Sequence, residues 1–151
     1  MKQVRTEAFI AAAPLQAWQV LADFDGYAAW NPLNVRAHGR AAPGARVAMS
    51  FRNPARPGSV IEMTVTVTEC EPGRRLEWRG RIPLLFTGRH HFRLAPEGTG
   101  TRLDHGEDLS GLIPALIGSR RIGRQFGPAY EAVNAALADR VAVLAASGGV
   151  A

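Results

Sequence analysis

The chain has 151 residues, which fits one domain that buries roughly 70% of the surface exposed by its unfolded form. Hydrophobic residues make up 46% and charged residues 21%, a balance that excludes an intrinsically disordered chain. The net charge is +5, and Lys2 is the only lysine, so arginine supplies the other basic side chains. This preference for arginine is typical of a biased genome composition, so charge alone predicts no nucleic-acid partner.

The single cysteine, Cys70, can form no disulfide within the chain and cannot build a zinc site alone, so a reducing compartment is compatible with the sequence. Lys2 and Arg5 flank no apolar signal-peptide core. No apolar stretch reaches the roughly 18 residues needed to cross a bilayer. We therefore expect a cytoplasmic protein.

A strand and two short helices are predicted at the start of the chain. Residues 4–11 alternate loosely between apolar and polar side chains, as a short strand does. Pro14 suits the first turn of a helix. The apolar stripe of that helix comprises Leu15, Trp18, Val20 and Leu21. Asp23 can cap a second short helix, which Pro32 ends.

Six further strands are predicted between residues 35 and 109, at 35–37, 47–51, 60–70, 76–78, 86–94 and 101–109. The turn signals between them include Pro43-Gly44, Pro57-Gly58 and Pro72-Gly73. Such short connections indicate an antiparallel meander. The clearest alternation lies in residues 60–68, where apolar side chains occupy every second position and predict one covered face.

One long amphipathic helix is predicted near the C-terminal end of the sequence. Its apolar stripe comprises Phe126, Tyr130, Val133, Leu137, Val141 and Leu144. Gly127-Pro128 either kinks this helix or marks its first turn, and residues 147–151 are expected to fray. The sequence thus predicts one α+β domain over residues 1–146, with about seven antiparallel strands in a curved sheet around the helix. Strong curvature would leave a hollow between the two.

Three ionisable side chains fall on the apolar face of the last two strands. His90 shares a face with Phe92, and His105 and Glu107 share a face with Leu103. Burying such groups costs several kcal/mol unless they are hydrogen-bonded or hydrated, so a lined cavity suits them better than a solid core. His91, next to His90, is expected to face solvent.

His90, His105 and Glu107 could act as general acid and base on an enolisable carbonyl, with Tyr130 donating to the oxyanion. Alternatively, they bond only to one another or to ordered water. Two histidines and a carboxylate also match zinc or non-haem iron donor sets if the strand register brings them together. We expect neither a metal nor a cofactor.

Two segments carry a resemblance to a known family: Tyr-Ala-Ala-Trp-Asn-Pro at residues 27–32 and TRLDHGEDLSG at residues 101–111. With the order of elements, they resemble the polyketide cyclase/dehydratase-like branch of the START-like (SRPBCC) superfamily. The resemblance implies the helix-grip fold and a deep hydrophobic cavity between sheet and helix. Members carry lipids, hormones or polyketides, and a few catalyse cyclisation or dehydration, so the family implies no single activity.

Strand alternation and the helix stripe predict which side chains face this cavity, although each could equally be plain core. The candidates are Met49, Phe51, Met63, Val65, Trp78, Phe92, Leu103, Phe126, Tyr130 and Val133. Trp30 and Asn31 could form a polar gate at its mouth. Alternatively, Trp30 anchors the short helix while the Asn31 side chain caps the turn before Pro32.

The segment between the last strand and the long helix combines apolar and basic residues: Leu112, Ile113, Leu116, Ile117, Arg120, Arg121 and Arg124. It is typical of a lid over the cavity or of a surface that makes transient contact with an anionic membrane. The alternative is a helical extension packed on the sheet edge.

The sequence therefore predicts a protein that binds a hydrophobic small molecule, of lipid or polyketide type, as a carrier or sensor. A second hypothesis is a cofactor-free cyclase, dehydratase or isomerase that uses His90, His105 and Glu107. A third is a protein-interaction module whose binding surface lies on the outside of the helix or sheet, and a filled core would favour it.

Overall fold

The computed structural model describes residues 1–148, so residues 149–151 of the tail expected to fray lie outside the described part. It begins with β1 (Lys2–Ile10), α1 (Pro14–Ala22) and a 3₁₀ helix (Phe24–Ala29). The strands β2 (Asn34–His38), β3 (Arg46–Arg52), β4 (Val60–Glu71) and β5 (Arg75–Ile82) follow. The chain ends with β6 (Phe86–Glu97), β7 (Gly100–Ser110), α2 (Leu112–Ile117) and α3 (Ser119–Ala146).

The seven strands form one antiparallel sheet in the order β1-β7-β6-β5-β4-β3-β2. Every strand from β2 to β7 pairs with its neighbour in sequence, because the connections are short turns, while β1 crosses to pair with β7. Register shifts at Asn34/Arg36 and at Val67/Glu69 interrupt the pairing. Such bulges bend and twist the strand that carries them, which contributes to the curl of the sheet.

The curled sheet wraps around α3, so the predicted helix-grip fold is confirmed. The helix buries one stripe of side chains, namely Ile122, Tyr130, Val133, Asn134, Leu137 and Val141. Pro128 lies inside α3, nine residues after its first residue Ser119, so Gly127-Pro128 does not mark the first turn. Gly118, with φ at +90°, separates α3 from the short α2.

The core lies between the concave face of the sheet, α1, the 3₁₀ helix and α3. Its largest buried side chains include Phe24, Tyr27, Phe92, Leu103 and Leu137. Tyr27 is fully buried, and its hydroxyl donates a 2.6 Å hydrogen bond to the Leu21 carbonyl at the end of α1. This bond ties the two short helical elements together, as a buried phenol requires a partner. Towards α2 the packing opens, and that end holds the cavity.

Among the described residues, no helix is long and apolar enough to span a membrane.

Candidate functional site

A cavity of about 300 Å³ lies between the concave face of the sheet, α2 and the first half of α3. Inward-facing side chains of β3, β4 and β5 form one wall, and Phe126 and Tyr130 on α3 form the opposite wall. The turn at residues 53–55 and the helix α2 frame its mouth. Most of the wall is apolar: Leu33, Met49, Phe51, Ile61, Met63, Val65, Trp78, Ile82, Phe86, Ile113, Ile117 and Phe126.

A pair of glycines gives the cavity its depth. Gly80 on β5 and Gly88 on β6 face each other across the sheet, and both line the cavity. A Cβ atom at Gly80 would meet the Met63 sulfur, and one at Gly88 would meet the Glu107 carboxylate and the Phe86 ring. The sheet therefore has no side chains at the point where Met63, Phe86 and Glu107 converge.

The polar groups of the cavity wall include a cluster formed by His90, Glu107 and Tyr130. His90 and Glu107 are directly opposite each other on β6 and β7, which brings the His90 Nδ1 atom to 3.8 Å from a Glu107 oxygen. On the opposite wall, the Tyr130 hydroxyl of α3 donates a hydrogen bond to the Glu107 carboxylate. A ligand in the cavity would meet an imidazole, a carboxylate and a phenol at this cluster.

Behind His90, a chain of buried hydrogen bonds leads away from the cavity. His90 Nε2 lies 2.7 Å from His105 Nε2, and His105 Nδ1 lies 2.7 Å from the Asn134 amide oxygen. The Asn134 amide nitrogen donates to the Thr6 hydroxyl at 2.9 Å, and that hydroxyl donates to the His105 carbonyl at 2.7 Å. The chain thus connects β6, β7, α3 and β1.

The direction of each hydrogen bond follows from the Thr6 end. Because the single Thr6 proton is donated to a carbonyl, its oxygen must accept from the Asn134 NH₂ group, which turns the Asn134 oxygen toward His105. His105 therefore carries its proton on Nδ1, and its Nε2 atom accepts from His90 Nε2–H. In the neutral His90 ring, Nδ1 is then an unprotonated base on the side of Glu107.

Burial sets the protonation of His105 in the hydrogen-bonded chain and of Tyr130 in the polar cluster. It is the main cause that lowers the pKa of His105 well below its ordinary value, and the nearby His90 lowers it further. Burial, together with the charge of Glu107, raises the pKa of the Tyr130 phenol well above its ordinary value. At neutral pH, His105 is thus uncharged and Tyr130 remains a hydrogen-bond donor.

Ring packing holds the imidazoles in place. The indole of Trp78 lies parallel to the His90 ring with centroids 4.9 Å apart. His105 lies between the rings of Phe92 and Tyr130, at centroid distances of 4.3 and 4.8 Å. Because both rings are held on their faces as well as at their nitrogens, the chain has little freedom to reorient.

The structure separates the residues predicted for ligand binding into two groups. Seven line the cavity: Met49, Phe51, Met63, Val65, Trp78, Phe126 and Tyr130. The other three lie between the sheet and α3 but are buried in the core beyond the cavity wall: Phe92, Leu103 and Val133. Of the three predicted acid–base residues, His90 and Glu107 line the cavity, and His105 lies behind His90.

Trp30 and Asn31 lie away from this cavity wall. Trp30 borders a separate small cleft with residues of α1 and the second half of α3, and its ring packs edge-on against Tyr27. The Asn31 side-chain oxygen accepts from the backbone N–H groups of Leu33 and Asn34, both at 2.9 Å. Asn31 therefore caps the turn that follows Pro32, not the predicted turn before it, and Trp30 packs against Tyr27 of the 3₁₀ helix.

The expectation that His91 faces solvent is wrong. Its side chain does lie on the convex face of the sheet, but only 2% of the residue's surface is exposed. It sits opposite Gly106, whose missing side chain leaves room for that of Arg5 to lie across the strand. Burial, followed by the charges of Arg93 and Arg5, lowers the pKa of His91.

Asn134 and Thr6 are the members of the hydrogen-bonded chain that were not predicted. A signal for Asn134 exists, since a polar residue stands in the apolar stripe of α3 one turn after Tyr130. Thr6 lies between Val4 and Ala8 on the covered face of β1, where threonine is common, so its pattern carries no comparable signal. Among the described residues, no group of three His, Cys, Asp or Glu side chains is arranged to hold a metal ion.

The class of protein follows from this arrangement: a helix-grip domain with an apolar cavity and a polar cluster in its wall. The family model described as "Polyketide cyclase / dehydrase and lipid transport" matches residues 1–142. The chain belongs to this family, so the resemblance to the polyketide cyclase/dehydratase-like branch is confirmed. No curated protein matches the chain significantly in sequence.

Solved structures share the fold at low sequence identity. A START superfamily protein from Mycobacterium smegmatis aligns with a TM-score of 0.79 and 17% identity, over 95% of this chain and 99% of the other. The Zhui aromatase/cyclase from Streptomyces sp. R1128 aligns with a TM-score of 0.78 and 18% identity, over 99% of both chains. A protein from Thermus thermophilus gives 0.75 and 20% identity, over 96% of this chain and 99% of the other.

Proposed function

We propose that the chain binds a hydrophobic small molecule, of lipid or polyketide type, between the sheet and α3 and acts as a carrier or sensor. The observation that carries this proposal is the wall of the 300 Å³ cavity, which is mainly aliphatic and aromatic. Such a wall stabilises an apolar body by removing it from water. The family description, with its polyketide cyclases and lipid transport, supports the same class of ligand.

The polar cluster defines the other end of the ligand. The Glu107 carboxylate and a His90 Nδ1 atom without a proton can accept hydrogen bonds, and the Tyr130 hydroxyl can donate to a ligand in place of Glu107. A hydroxyl or carbonyl group on an otherwise apolar molecule suits this set. We therefore expect ligands with one such group to bind more tightly than the corresponding hydrocarbons.

Blocking the cavity tests the proposal. Ile61 lines the cavity, whereas the adjacent Val60 does not and is largely exposed. Ile61→Trp should weaken binding of the apolar fluorophore 1-aminoanthracene at least about tenfold, because the indole occupies the ligand's volume. Val60→Trp, the matched control, should bind it like the wild type. Equal binding by the wild type and Ile61→Trp, or no binding by either, would contradict the proposal.

A second function, cofactor-free catalysis as a cyclase, dehydratase or isomerase, is favoured by one observation. The hydrogen-bonded chain from Thr6 ends at His90, whose Nδ1 atom lies 3.8 Å from a Glu107 oxygen at the cavity wall. In this reaction, His90 Nδ1 would take a proton from the carbon next to a ligand carbonyl. The Tyr130 hydroxyl would exchange its hydrogen bond to Glu107 for one to the resulting enolate oxygen. His105 would act as a positioning residue that keeps the proton on His90 Nε2.

The two functions differ under substitution at the polar cluster. The substrate for the test is whatever compound organic extraction recovers from the freshly purified protein, identified by mass spectrometry. For a carrier, His90→Gln and Glu107→Gln should change the affinity for this compound only a few-fold. For an enzyme, the same variants should lower its turnover by on the order of a hundredfold or more. The protein-interaction alternative is less favoured, because it called for a filled core.

A further inference from the structure

The mouth of the cavity carries exposed aliphatic side chains from two segments that are joined by backbone hydrogen bonds. Two backbone N–H groups at the start of α2 donate hydrogen bonds to the turn between β5 and β6. The Leu112 N–H donates to the Leu84 carbonyl, and the Ile113 N–H donates to the Leu85 carbonyl. We call the exposed aliphatic group of these segments the mouth surface. It consists of Ile82, Leu84, Leu85, Leu112, Ile113 and Leu116.

Leu84 is the most unusual residue of the mouth surface. Its φ of +66° lies in the left-handed region, which glycine and asparagine adopt more readily than leucine. Its side chain gains little from packing in compensation, since the residue is 85% exposed. Leu116 on α2 is 86% exposed. A strained backbone that presents an unburied leucine points to a contact outside the chain.

The mouth surface is continuous with the cavity wall. Ile82 and Ile113 belong to both, and Phe86 and Ile117 of the same two segments line the cavity. An apolar molecule leaving the cavity by this side would cross only apolar side chains if the mouth surface were itself covered by an apolar phase.

The charge around the mouth has a single sign. None of the 13 Asp and Glu residues lies in the stretches 26–61, 78–96 and 109–130, which contain the turn at residues 53–55, the β5–β6 turn and α2. Exposed arginines follow the mouth surface in sequence on α3, namely Arg120, Arg121 and Arg124, and within the described residues none of them is in a salt bridge. Arg120 and Arg124 also border a groove beside β1 that contains Arg5 and Glu131. A partner that covers the mouth surface and these arginines together would be anionic and would accept aliphatic side chains.

We propose that the mouth surface docks on an anionic lipid bilayer, with its leucines in the acyl boundary and Arg120, Arg121 and Arg124 among the headgroups. A bilayer fits better than a protein partner, because the exposed apolar group is all leucine and isoleucine. Protein interfaces concentrate their binding energy in tryptophan, tyrosine and arginine. Docking in this orientation opens the cavity toward the lipid phase.

The test measures sedimentation of the ligand-free protein with vesicles of phosphatidylcholine, alone or mixed with phosphatidylglycerol. The wild type should bind the mixed vesicles, and raised salt should weaken this binding. The double variant Leu84→Asn with Leu116→Gln should bind at least about tenfold more weakly, because two inserted side chains become polar. Its thermal midpoint should not fall, since asparagine tolerates the backbone at position 84, so misfolding cannot explain the loss.

Two controls separate the surface from other effects. Val143→Gln changes an exposed aliphatic residue far along α3 and should leave vesicle binding unchanged. Ile61→Trp should also bind vesicles like the wild type, so a failure of the cavity proposal does not affect this result. In the double variant Arg121→Gln with Arg124→Gln, the ratio of binding to mixed vesicles over binding to pure phosphatidylcholine vesicles should fall about tenfold.

Three results would overturn the proposal. The first is no binding to mixed vesicles, and the second is equal binding by Leu84→Asn/Leu116→Gln and the wild type. The third is concentration-dependent dimerisation that the double variant abolishes while vesicle binding is absent, which would assign the mouth surface to a second copy of the chain instead.

Discussion

The imidazole rings of His90 and His105 meet nitrogen to nitrogen, with their Nε2 atoms 2.7 Å apart, so only one proton lies between them. The Asn134 oxygen on the far side of His105 requires a proton on His105 Nδ1, so the shared proton is bound to His90 Nε2. A residue on α3 that does not line the cavity therefore sets the proton position on a residue that does.

This proton assignment predicts one specific tautomer for each of the two histidines. Imidazole ¹⁵N spectra at neutral pH should show His105 protonated at Nδ1 and His90 at Nε2. Asn134→Leu should abolish that preference and lower the free energy of unfolding by about 1–3 kcal/mol, because it leaves the His105 N–H without an acceptor. Asn134→Asp keeps the acceptor and should keep the His105 tautomer. A wild-type His105 protonated at Nε2 would refute the assigned directions.

Stability should fall in mild acid, because burial lowers the pKa of His105 in the folded state. Above about pH 6.5 neither state binds a proton at this ring, and below it the unfolded chain does while the folded one does not. The free energy of unfolding should therefore decrease as the pH falls from about 6.5, by up to about 1.4 kcal/mol per pH unit. His91, whose pKa is also lowered, adds to this slope.

Urea titrations between pH 8 and pH 5 measure this slope directly. His105→Phe keeps a ring between Phe92 and Tyr130 but cannot titrate. It should be less stable than the wild type at pH 8, because Asn134 and His90 each lose a partner, and its pH slope should be shallower. A slope equal to that of the wild type would mean that other groups cause the acid sensitivity.

Gly106 should tolerate a side chain less well than Gly80. A Cβ atom at position 106 would collide with the backbone carbonyl of Val4 on the paired strand, which cannot move without disturbing the β1–β7 ladder. At position 80, it would meet the flexible end of Met63. Gly106→Ala should cost about 1–3 kcal/mol in urea unfolding and Gly80→Ala less. The reverse ranking would contradict the packing described for the convex face.

Arg89 should matter more to stability than Arg102, although both are exposed arginines with a carboxylate partner. Glu77 is buried on the convex face and accepts from Arg89 at 2.9 and 3.2 Å and from Thr68 at 2.8 Å. Arg89→Leu leaves this carboxylate with one donor, so unfolding should become easier by about 1–3 kcal/mol, after allowance for the exposed arginine.

Arg102→Leu is the matched control. Its partner Glu7 is largely exposed and remains hydrated when the arginine is removed, so thermal unfolding should change little. If both variants behaved alike, the burial of Glu77 would not be the deciding factor.

Much of the architecture could be predicted because alternation and helical periodicity are local. Before the register shift, every second residue of β4 faces the helix side, as Ile61, Met63 and Val65 show, and the stripe of α3 follows its spacing. His91 shows where this reasoning ends. Alternation assigns a residue to a face of the sheet, but the cover that Arg5 provides comes from a strand more than eighty positions earlier.

The candidate site was predictable in kind and less so in layout. His90 and Glu107 were found because ionisable groups on an apolar face are costly, and they line the cavity. The depth of the cavity depends on the facing glycines Gly80 and Gly88, whose pairing follows from the register of β5 and β6. Local patterns do not fix that register, so the sequence could not say which apolar residues line a cavity and which fill the core.

The hydrogen-bonded chain also determines how late in protein synthesis the site can form. Thr6 on the first strand, His105 on the last strand and Asn134 on the final helix are bonded to one another, with separations of 99 residues between the first two and 128 between the first and third. A nascent chain cannot form this cluster until α3 has left the ribosome. β1 has no partner strand until β7 has emerged, and such distant pairings fold slowly. The site should therefore be completed only after α3 has been synthesised, whereas the sheet can form before it.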